Sequence, residues 1–359
     1  MKKYLNQQDM RDLNLTNVFR LIRRHAPITR RQIEAQMALS WGAVFNATAL
    51  LLQRGYIREV KASPCAGVGR TPIALSVNEE DHILLGLDVN LSGLTGVGIA
   101  ATGRVLFSLH REPVATDREG WLREIRSATG ALLELAKERH VLGLGVAVQG
   151  AVDAPSGISL SFPAAGWQNV PLAELLTAEL GFPVFLEHDP NCILYAAEPE
   201  SATRNAILLR ADRGIGMAVM LEGQILQRCG ALEVGRTVNE GQTLQSVATL
   251  QALSERGGMP LPLLAEKAER GDTAALAVFE KAARHLAVAV VNAAQLFDVN
   301  DILLCGKLLT YEALFLPRLR EEATLLAPDR PLCIGITDVQ GAAVGAALLA
   351  LERLTLHFD

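Results

Sequence analysis

Hydrophobic residues recur at helical spacing near the start of the chain, at Leu13, Val18, Leu21 and Ile22. This period predicts an amphipathic helix that buries those four side chains. Pro27 marks its end, because proline lacks the amide hydrogen that a continuing helix needs.

Two shorter helices are predicted directly afterwards. In residues 29–32, TRRQ, the threonine hydroxyl can cap the amide three residues on while the glutamine reaches back, which is a capping box. Ser40 is the expected N-cap of a helix from Trp41 to Arg54, and Gly55 follows as its left-handed stop. The inward positions of that helix are Val44, Thr48 and Leu51. Two short helices across a tight turn predict a helix-turn-helix.

Strand-like patterns follow this motif. Residues 56–60 and 73–77 have β character and flank a loop, residues 61–72, rich in glycine, proline and small side chains. They predict a wing, so residues 1–80 are expected to form a winged helix-turn-helix domain with its linker.

From residue 82 the pattern changes to strands that alternate with helices, which predicts an α/β body with a sheet covered on both faces. Strand-like runs occupy 83–88, 142–148, 184–186 and 206–209, and helical stretches occupy 121–139, 172–180, 272–297 and 341–353. Gly93, Gly96 and Gly98 predict a ligand loop after the first run. A second half begins near residue 206, so two lobes are expected, about 81–190 and 191–359, with a cleft between them.

Composition narrows the class of protein. Of the 359 residues, 50% are hydrophobic and 20% charged, which excludes wholesale disorder. The five cysteines are odd in number and far apart, so they offer neither a disulfide framework nor a Cys-x-x-Cys metal pair. The first residues lack an apolar leader, and no run is long enough to cross a bilayer. We therefore expect a cytoplasmic protein without membrane contact.

Charge is distributed unevenly along the chain. Residues 1–70 hold 12 Lys and Arg against 4 Asp and Glu, although the whole chain has a net charge of -5. A basic head on an acidic body indicates that the head binds a polyanion, the alternative being chance surface composition.

The helix-turn-helix identifies double-stranded DNA as that polyanion. The second helix of such a motif enters the major groove by its N-terminal half, where asparagine can pair bidentately with adenine. The candidate contacts are four to bases and three to phosphates: Ser40, Trp41, Ala43 and Asn46, and Arg30, Arg31 and Arg70. The alternative is a three-helix domain that binds another protein.

Five segments of the body resemble, in this order, the ROK family of repressors and sugar kinases. They are LGLDVNLSGLTGVGIAATGRVL, GLGVAVQGAVDAPSG, GWQNVPLAELL, FPVFLEHDPN and GDTAALAVFEKAARHLAVAVVNAAQLFDVNDILLCGKL. With the head included, essentially the whole chain resembles a ROK transcriptional regulator, similar to repressors of N-acetylglucosamine and glucose-uptake genes. The resemblance implies an actin-like, ribonuclease H-like, two-lobed sugar-binding body on a DNA-binding head, in homodimers or tetramers.

The resemblance also implies where an effector binds. In the kinases of the family an Asn-Asp pair positions the sugar and the Asp is the general base, and here the pair is His188-Asp189. A Glu-x-Gly-His motif supplies a sugar-binding Glu and a zinc-ligating His, and here it runs from Glu233 to Arg236. The family's last sugar-binding Glu is replaced by Gln245. The effector candidates are therefore His188, Asp189, Glu233, Arg236 and Gln245.

Four of these candidates have a plainer alternative role. Asp189 stands where a helix-capping residue is expected, and Glu233 with Arg236 can form a solvated salt bridge. His188 has three open roles: to contact the sugar, to cap a helix or to line the cleft.

The zinc and nucleotide motifs of the kinases are replaced. Between Thr237 and Gln245 the chain has no cysteine, and arginine cannot ligate a metal, so no metal site is expected. Two glycine-rich phosphate loops of the kinases correspond here to Asp88–Ser92 and Asp212–Gly214, and the adenosine-side Gly-Gly of the kinases corresponds to Cys305-Gly306. Added side chains crowd such loops, so neither ATP binding nor enzymatic activity is expected, and no cofactor is implied.

Three hypotheses about function remain. The first is a DNA-binding regulator, a repressor of carbohydrate genes controlled by a sugar or sugar phosphate in the cleft of the body. The second is a ROK sugar kinase with an N-terminal interaction domain. The third is a regulator whose body binds a protein partner instead of a sugar.

Overall fold

The computed structural model of the chain describes residues 6–61, 73–91, 93–112, 114–162, 165–197, 204–226, 230–338 and 341–356. Two compact units are present, each assembled from separate stretches of chain. The first unit comprises residues 1–146, 172–185 and 346–359, and the second comprises residues 147–171 and 186–345. The expected lobes, 81–190 and 191–359, are continuous ranges and so differ from these units. No helix of the described residues has the length and apolar character to cross a membrane.

The N-terminal head contains three helices and a hairpin: α1 (Gln7–His25), α2 (Arg30–Gln36), α3 (Trp41–Gln53), β1 (Ile57–Lys61) and β2 (Ile73–Val77). The predicted capping box of α2 is present, and the Ser40 side chain accepts the amide of Ala43 at the start of α3. The predicted inward positions of α3 are buried. In α1 the prediction is partly wrong, because Leu13 is 40% exposed and the buried face is Leu15, Val18, Phe19 and Ile22.

The hairpin forms the predicted wing. β1 pairs with β2 in antiparallel register from Ile57 opposite Val77 to Lys61 opposite Ile73, and Ile28 bridges to Leu75. This bridge ties the turn before α2 to the wing, which confirms the winged helix-turn-helix. Arg70 and the wing tip lie outside the described residues.

The elements that follow, in chain order, are β3 (His82–Asn90), β4 (Gly93–Ala100), β5 (Val105–Arg111), α4 (Arg118–Ala136), β6 (His140–Val148), β7 (Ala151–Asp153), β8 (Ile158–Phe162), β9 (Trp167–Val170), α5 (Leu172–Leu180), β10 (Val184–His188) and α6 (Asp189–Ala196). Five of these strands form the first sheet, in the order β10-β6-β3-β4-β5, and β7, β8 and β9 form a small separate sheet.

The predicted ligand loop after β3 is wrong. Gly93, Gly96 and Gly98 lie within β4, which pairs with β3 along a hairpin closed by Asn90 opposite Gly93. A Cβ at Gly98 would lie 2.1 Å from Cζ of Phe107, and one at Gly96 would lie 2.9 Å from Cδ1 of Leu132. Two of these glycines therefore make room for packing side chains within the sheet.

The remaining elements are β11 (Ala206–Ala211), β12 (Ile215–Leu221), β13 (Gln224–Ile225), β14 (Val238–Asn239), β15 (Gln242–Thr243), α7 (Gln245–Ala248), α8 (Leu250–Gly257), α9 (Leu261–Glu269), α10 (Thr273–Phe297), β16 (Asp301–Cys305), α11 (Glu312–Leu326), β17 (Cys333–Ile336) and α12 (Gly341–Arg353). The second sheet has the order β13-β12-β11-β16-β17. Because β11 and β16 are parallel, their carboxyl ends meet at one edge, which is where the candidate site lies. The mixed α/β fold is confirmed.

Candidate functional site

Asp189 is the first residue of α6, directly after β10, and is 2% exposed. Its side chain does not cap the helix; His188 occupies the N-cap position and makes no side-chain cap either. Instead, Oδ2 of Asp189 accepts a hydrogen bond from Nη1 of Arg210 in β11. The helix-cap alternative for Asp189 is therefore wrong, because an arginine from another strand binds the carboxylate.

Arg210 also approaches a second carboxylate. Its Nη2 lies 3.6 Å from Oδ2 of Asp212, and all three residues are at most 8% exposed. We call Asp189, Arg210 and Asp212 the Arg210 cluster. Opposite charges held this closely in a poorly solvated place stabilise one another, and loss of the cation would leave two carboxylates buried without it. The sequence analysis did not identify Arg210, although an arginine inside the apolar run AILLRA signals a buried partner.

His188 lies beside this cluster, with Nε2 3.5 Å from Oδ1 of Asp189. Burial lowers the pKa of His188, and the nearby carboxylates of Asp189 and Glu187 oppose that shift only in part. Glu187 is itself buried and accepts hydrogen bonds from the His188 amide at 2.9 Å and from Nδ2 of Asn191 at 2.8 Å. His188 is thus a neutral ring that lines a carboxylate-rich corner.

Cys305 ends β16 opposite Arg210 in the parallel register. Burial raises the pKa of its thiol to about 12, so the thiol is protonated and unreactive at neutral pH. At Gly306, φ is 105° and a Cβ would lie 2.2 Å from the carbonyl oxygen of Ala211. Glycine is needed there because the two strand ends approach so closely.

The other three effector candidates line one pocket of about 430 Å³ in the second unit. Glu233, Arg236 and Gln245 share it with Arg213 and several hydroxyl and amide side chains. Nε of Arg236 lies 3.1 Å from Oε2 of Glu233, and these side chains are 78% and 58% exposed. The solvated salt bridge is therefore confirmed for this pair. Asp189 and Glu233 therefore each have an arginine partner.

The residues at the family's zinc position do not fit zinc. Arg236 stands in place of the ligating histidine, and the connection that follows is the two-stranded hairpin β14-β15, which has no Cys or His. His285 of α10 lies beneath this hairpin, 3.5 Å from Nδ2 of Asn239 and 3.7 Å from Oε2 of Glu240. Across the part of the chain that the structure describes, no group of three or more His, Cys, Asp or Glu could hold a metal ion.

The predicted DNA contacts lie along the exposed side of α2 and α3. Ser40, Trp41 and Asn46 are exposed, Ala43 is half-buried and Arg31 is exposed. Arg30 is different, because its guanidinium donates to Oγ1 of Thr48 at 2.9 Å and to Oε1 of Glu59 at 3.2 Å. Its predicted phosphate contact competes with these internal bonds.

Stability is expected to fall on mild acidification because of three buried histidines. Burial is the main cause that lowers the pKa of His82, His188 and His285. Their folded-state pKa values lie below the unfolded value of about 6.5, so the unfolded chain binds protons first as pH falls. Stability is full above about pH 6.5 and declines below it. Urea unfolding at pH 7.5 and 5.5, where carboxylates stay ionised, should differ by about 1 kcal/mol or more.

The matched control is His25→Gln, which changes an exposed histidine and should keep the wild-type pH dependence. His285→Gln should reduce the pH dependence. Equal free energies of unfolding of the wild type at both pH values would contradict the prediction.

Comparisons with known proteins identify distant relatives of the chain. The chain is similar to the xylose repressor of Caldicellulosiruptor bescii, at 22% identity over 96% of each chain. It is 24% identical to the DNA-binding transcriptional dual regulator NagC of Escherichia coli K12, over 86% of this chain and 84% of NagC. All these relatives are distant, so their names describe them alone.

Solved structures show the same fold. A ROK family transcriptional regulator, a homolog of the E. coli MLC protein, matches 95% of this chain and 96% of its own with a TM-score of 0.79 and 19% identity. A ROK family glucokinase from Streptomyces griseus, in complex with glucose and AMPPNP, matches 75% of this chain and 99% of its own with a TM-score of 0.62 and 19% identity. The profile of the ROK family itself matches residues 85–353, well over half of the sequence. The chain therefore belongs to the ROK family.

Proposed function

We propose that this protein is a DNA-binding transcriptional regulator, a repressor of carbohydrate genes, whose body binds a sugar or sugar phosphate effector. The observation that carries the proposal is a basic winged helix-turn-helix head, with an exposed recognition helix, in one chain with a ROK body. The names of the xylose repressor and NagC support it, as does a ROK regulator structure that matches the chain over 95% of its length.

The Arg210 cluster argues against the kinase alternative. A general base must accept a proton from the attacking hydroxyl, and its carboxylate must therefore be free to contact that hydroxyl. Arg210 already occupies Oδ2 of Asp189, so that oxygen is not free to contact a sugar hydroxyl. We accordingly expect no ATP-dependent phosphorylation of sugars above background.

The head is expected to bind a two-fold-related operator as part of a homodimer or tetramer. A single helix-turn-helix offers little surface for specificity, and symmetric proteins match symmetric sites. In the cell this places the protein with the DNA, in the cytoplasm.

The test combines DNA binding with an effector panel. Full-length protein is used to select duplexes from a random pool, and affinity is then measured at several salt concentrations. It should fall steeply with salt, because lysine and arginine contacts release counterions. Glucose, xylose, N-acetylglucosamine and their phosphates are then titrated, with the melting temperature and DNA affinity as readouts. A specific ligand at 100 times its Kd should stabilise the protein by about 2.7 kcal/mol.

If no duplex is enriched, the regulator proposal is wrong. If a sugar is phosphorylated with turnover, the kinase alternative replaces it. If DNA is bound and no sugar or sugar phosphate binds, the body takes a different partner, such as a protein.

Glu233→Gln is expected to weaken effector binding by about tenfold or more while stability changes by less than about 0.5 kcal/mol. The side chain is 58% exposed, so its loss has little effect on folding, yet it lines the pocket where three candidates meet. Calorimetric titration with the effector found in the panel gives the affinity, and Glu266→Gln, which alters another exposed ion pair, is the control. An unchanged affinity would place the effector site elsewhere.

A further inference from the structure

The recognition helix α3 exposes two aromatic side chains on one face. Trp41 is 46% exposed and Phe45 is 50% exposed, and residues four apart lie one above the other on a helix. Between them Gly42 has no atom within 4 Å of the position of a Cβ, so the surface beside the aromatics is open. Asn46 and Ala49 are also exposed, and together these residues form one continuous stripe along α3. We call it the α3 stripe.

Arg30 holds Phe45 in this position from inside the head. The guanidinium carbon lies 5.8 Å from the ring centroid of Phe45, a distance at which a cation and an aromatic face attract. The same side chain is fixed by Thr48 and by an ion pair with Glu59, and only 18% of it is exposed. Arg30 therefore links α2, α3 and the wing, and orients the aromatic ring rather than standing free for a phosphate.

Arg31 is its exposed neighbour. Its side chain has no ion pair within the described residues. The two adjacent arginines thus have separable roles, one as a positioning residue and one as a charge available to a polyanion.

We infer that the α3 stripe reads thymine through its 5-methyl group, with Trp41 and Phe45 as the specificity-determining residues and Arg30 as the positioning residue of Phe45. The inference rests on the proposed DNA binding. Duplex DNA is the occupant because the head carries 12 Lys and Arg against 4 Asp and Glu in residues 1–70, and the stripe lies on the helix that such a head inserts into the major groove.

Thymine follows from the chemistry of the stripe. A phenyl ring can neither donate nor accept a conventional hydrogen bond, and indole has a single donor, so these side chains cannot read the polar pattern of a base pair. In the major groove the methyl group of thymine is the one apolar feature of a base edge. Burial of one methyl group changes affinity about fourfold, so two methyl groups in a symmetric site are expected to change it by about tenfold or more.

The test replaces thymine by uracil, which removes only the methyl group. Duplexes selected by the full-length protein from a random pool are synthesised with thymidine or with deoxyuridine at every thymine position. The wild type should bind the thymidine form about tenfold more tightly. The slope of log affinity against log salt concentration, the salt slope, should be the same for both forms. This comparison needs no variant, so it does not depend on how a substitution affects folding.

Variants then locate the effect. Phe45→Ala and Trp41→Ala should bring the thymidine-to-deoxyuridine affinity ratio close to one. Phe45→Leu keeps an apolar side chain and should retain part of the ratio. Leu263→Ala, which changes an exposed apolar residue of α9, should leave the ratio at its wild-type value.

The two arginines are separated by their readouts. Arg30→Gln should lower the ratio and leave the salt slope unchanged, because its charge is already paired with Glu59. Arg31→Gln should reduce the salt slope by about one and leave the ratio unchanged.

The outcomes distinguish this inference from the proposed function. If the wild type selects no duplex, DNA binding itself is refuted. If it binds selected duplexes and the affinity ratio is one, or if the ratio survives both aromatic substitutions, the methyl-reading inference is wrong while DNA binding stands.

Discussion

Replacing Arg210 by methionine should destabilise the protein by about 3–5 kcal/mol, the usual result of removing one partner from a buried ion pair. The side chain of Arg210 is 10% exposed, and that of Asp189, its closest partner, is 4% exposed. Methionine fills a similar volume, so the lost stability reflects removal of the positive charge rather than a change in packing. Urea unfolding followed by fluorescence and circular dichroism measures the change in the free energy of unfolding.

Two further variants make the result specific. Arg213→Met changes the next arginine along the chain, which is exposed and has no ion pair within the described residues, and should alter stability by less than about 0.5 kcal/mol. Adding Asp189→Asn to Arg210→Met should restore part of the loss, because one buried charge is removed with its counter-charge. If Arg210→Met and Arg213→Met are equally stable, the cluster contributes nothing to the fold.

Glu352→Ala is expected to loosen the N-terminal head. Glu352 lies in the last turn of α12 and pairs with Arg23 and with Arg24, the latter at 2.9 Å, while Arg20 donates to the backbone oxygen of Leu354 at 3.2 Å. The amide of Leu356 also donates to Oγ1 of Thr16 at 2.9 Å. We call this set of bonds the C-terminal latch. Removing the Glu352 carboxylate leaves the half-buried Arg23 without this partner. The free energy that holds the head in place should therefore fall by about 2 kcal/mol.

Limited proteolysis and hydrogen exchange of α1 measure this change. Both should become faster in Glu352→Ala, because local opening needs less free energy when fewer bonds hold the helix. Glu266→Ala is the matched control, since it removes an exposed i,i+4 ion pair with Arg270. It should lower the free energy of unfolding by about 0.5 kcal/mol or less. Unchanged protection of α1 would show that the remaining backbone bonds hold the head without Glu352.

The sequence determined most of the head by itself. The capping box at Thr29, the cap at Ser40 and the stop at Gly55 are local signals, since each acts through atoms three or four residues away. The buried triad of α3 follows from a 3.6-residue period, and it is found as predicted. The alternating strands and helices of the body, and the ROK resemblance carried by its motifs, were equally available from the order of the residues.

Local sequence pattern did not predict the packing of a residue where that packing is set by another residue far away in the chain. The glycines after β3 resemble a ligand loop, yet their spacing is set by Leu132 of α4 and Phe107 of β5, which only the packed sheet brings near. Leu13 has helical spacing but faces solvent, because the partners packed against α1 decide which stripe is buried.

The site depended most on the tertiary structure. Asp189 and Glu233 look alike in the sequence as retained acids, yet one is buried against Arg210 and the other is solvated beside Arg236. Arg210 comes from a separate strand 21 residues along the chain from Asp189, and Glu352 is 329 residues from Arg23. Electrostatic energy depends on distance and solvent exposure, not on position along the chain. The sequence therefore determined which elements form and which family they belong to, whereas the tertiary structure alone decided which charges meet and which of them face water.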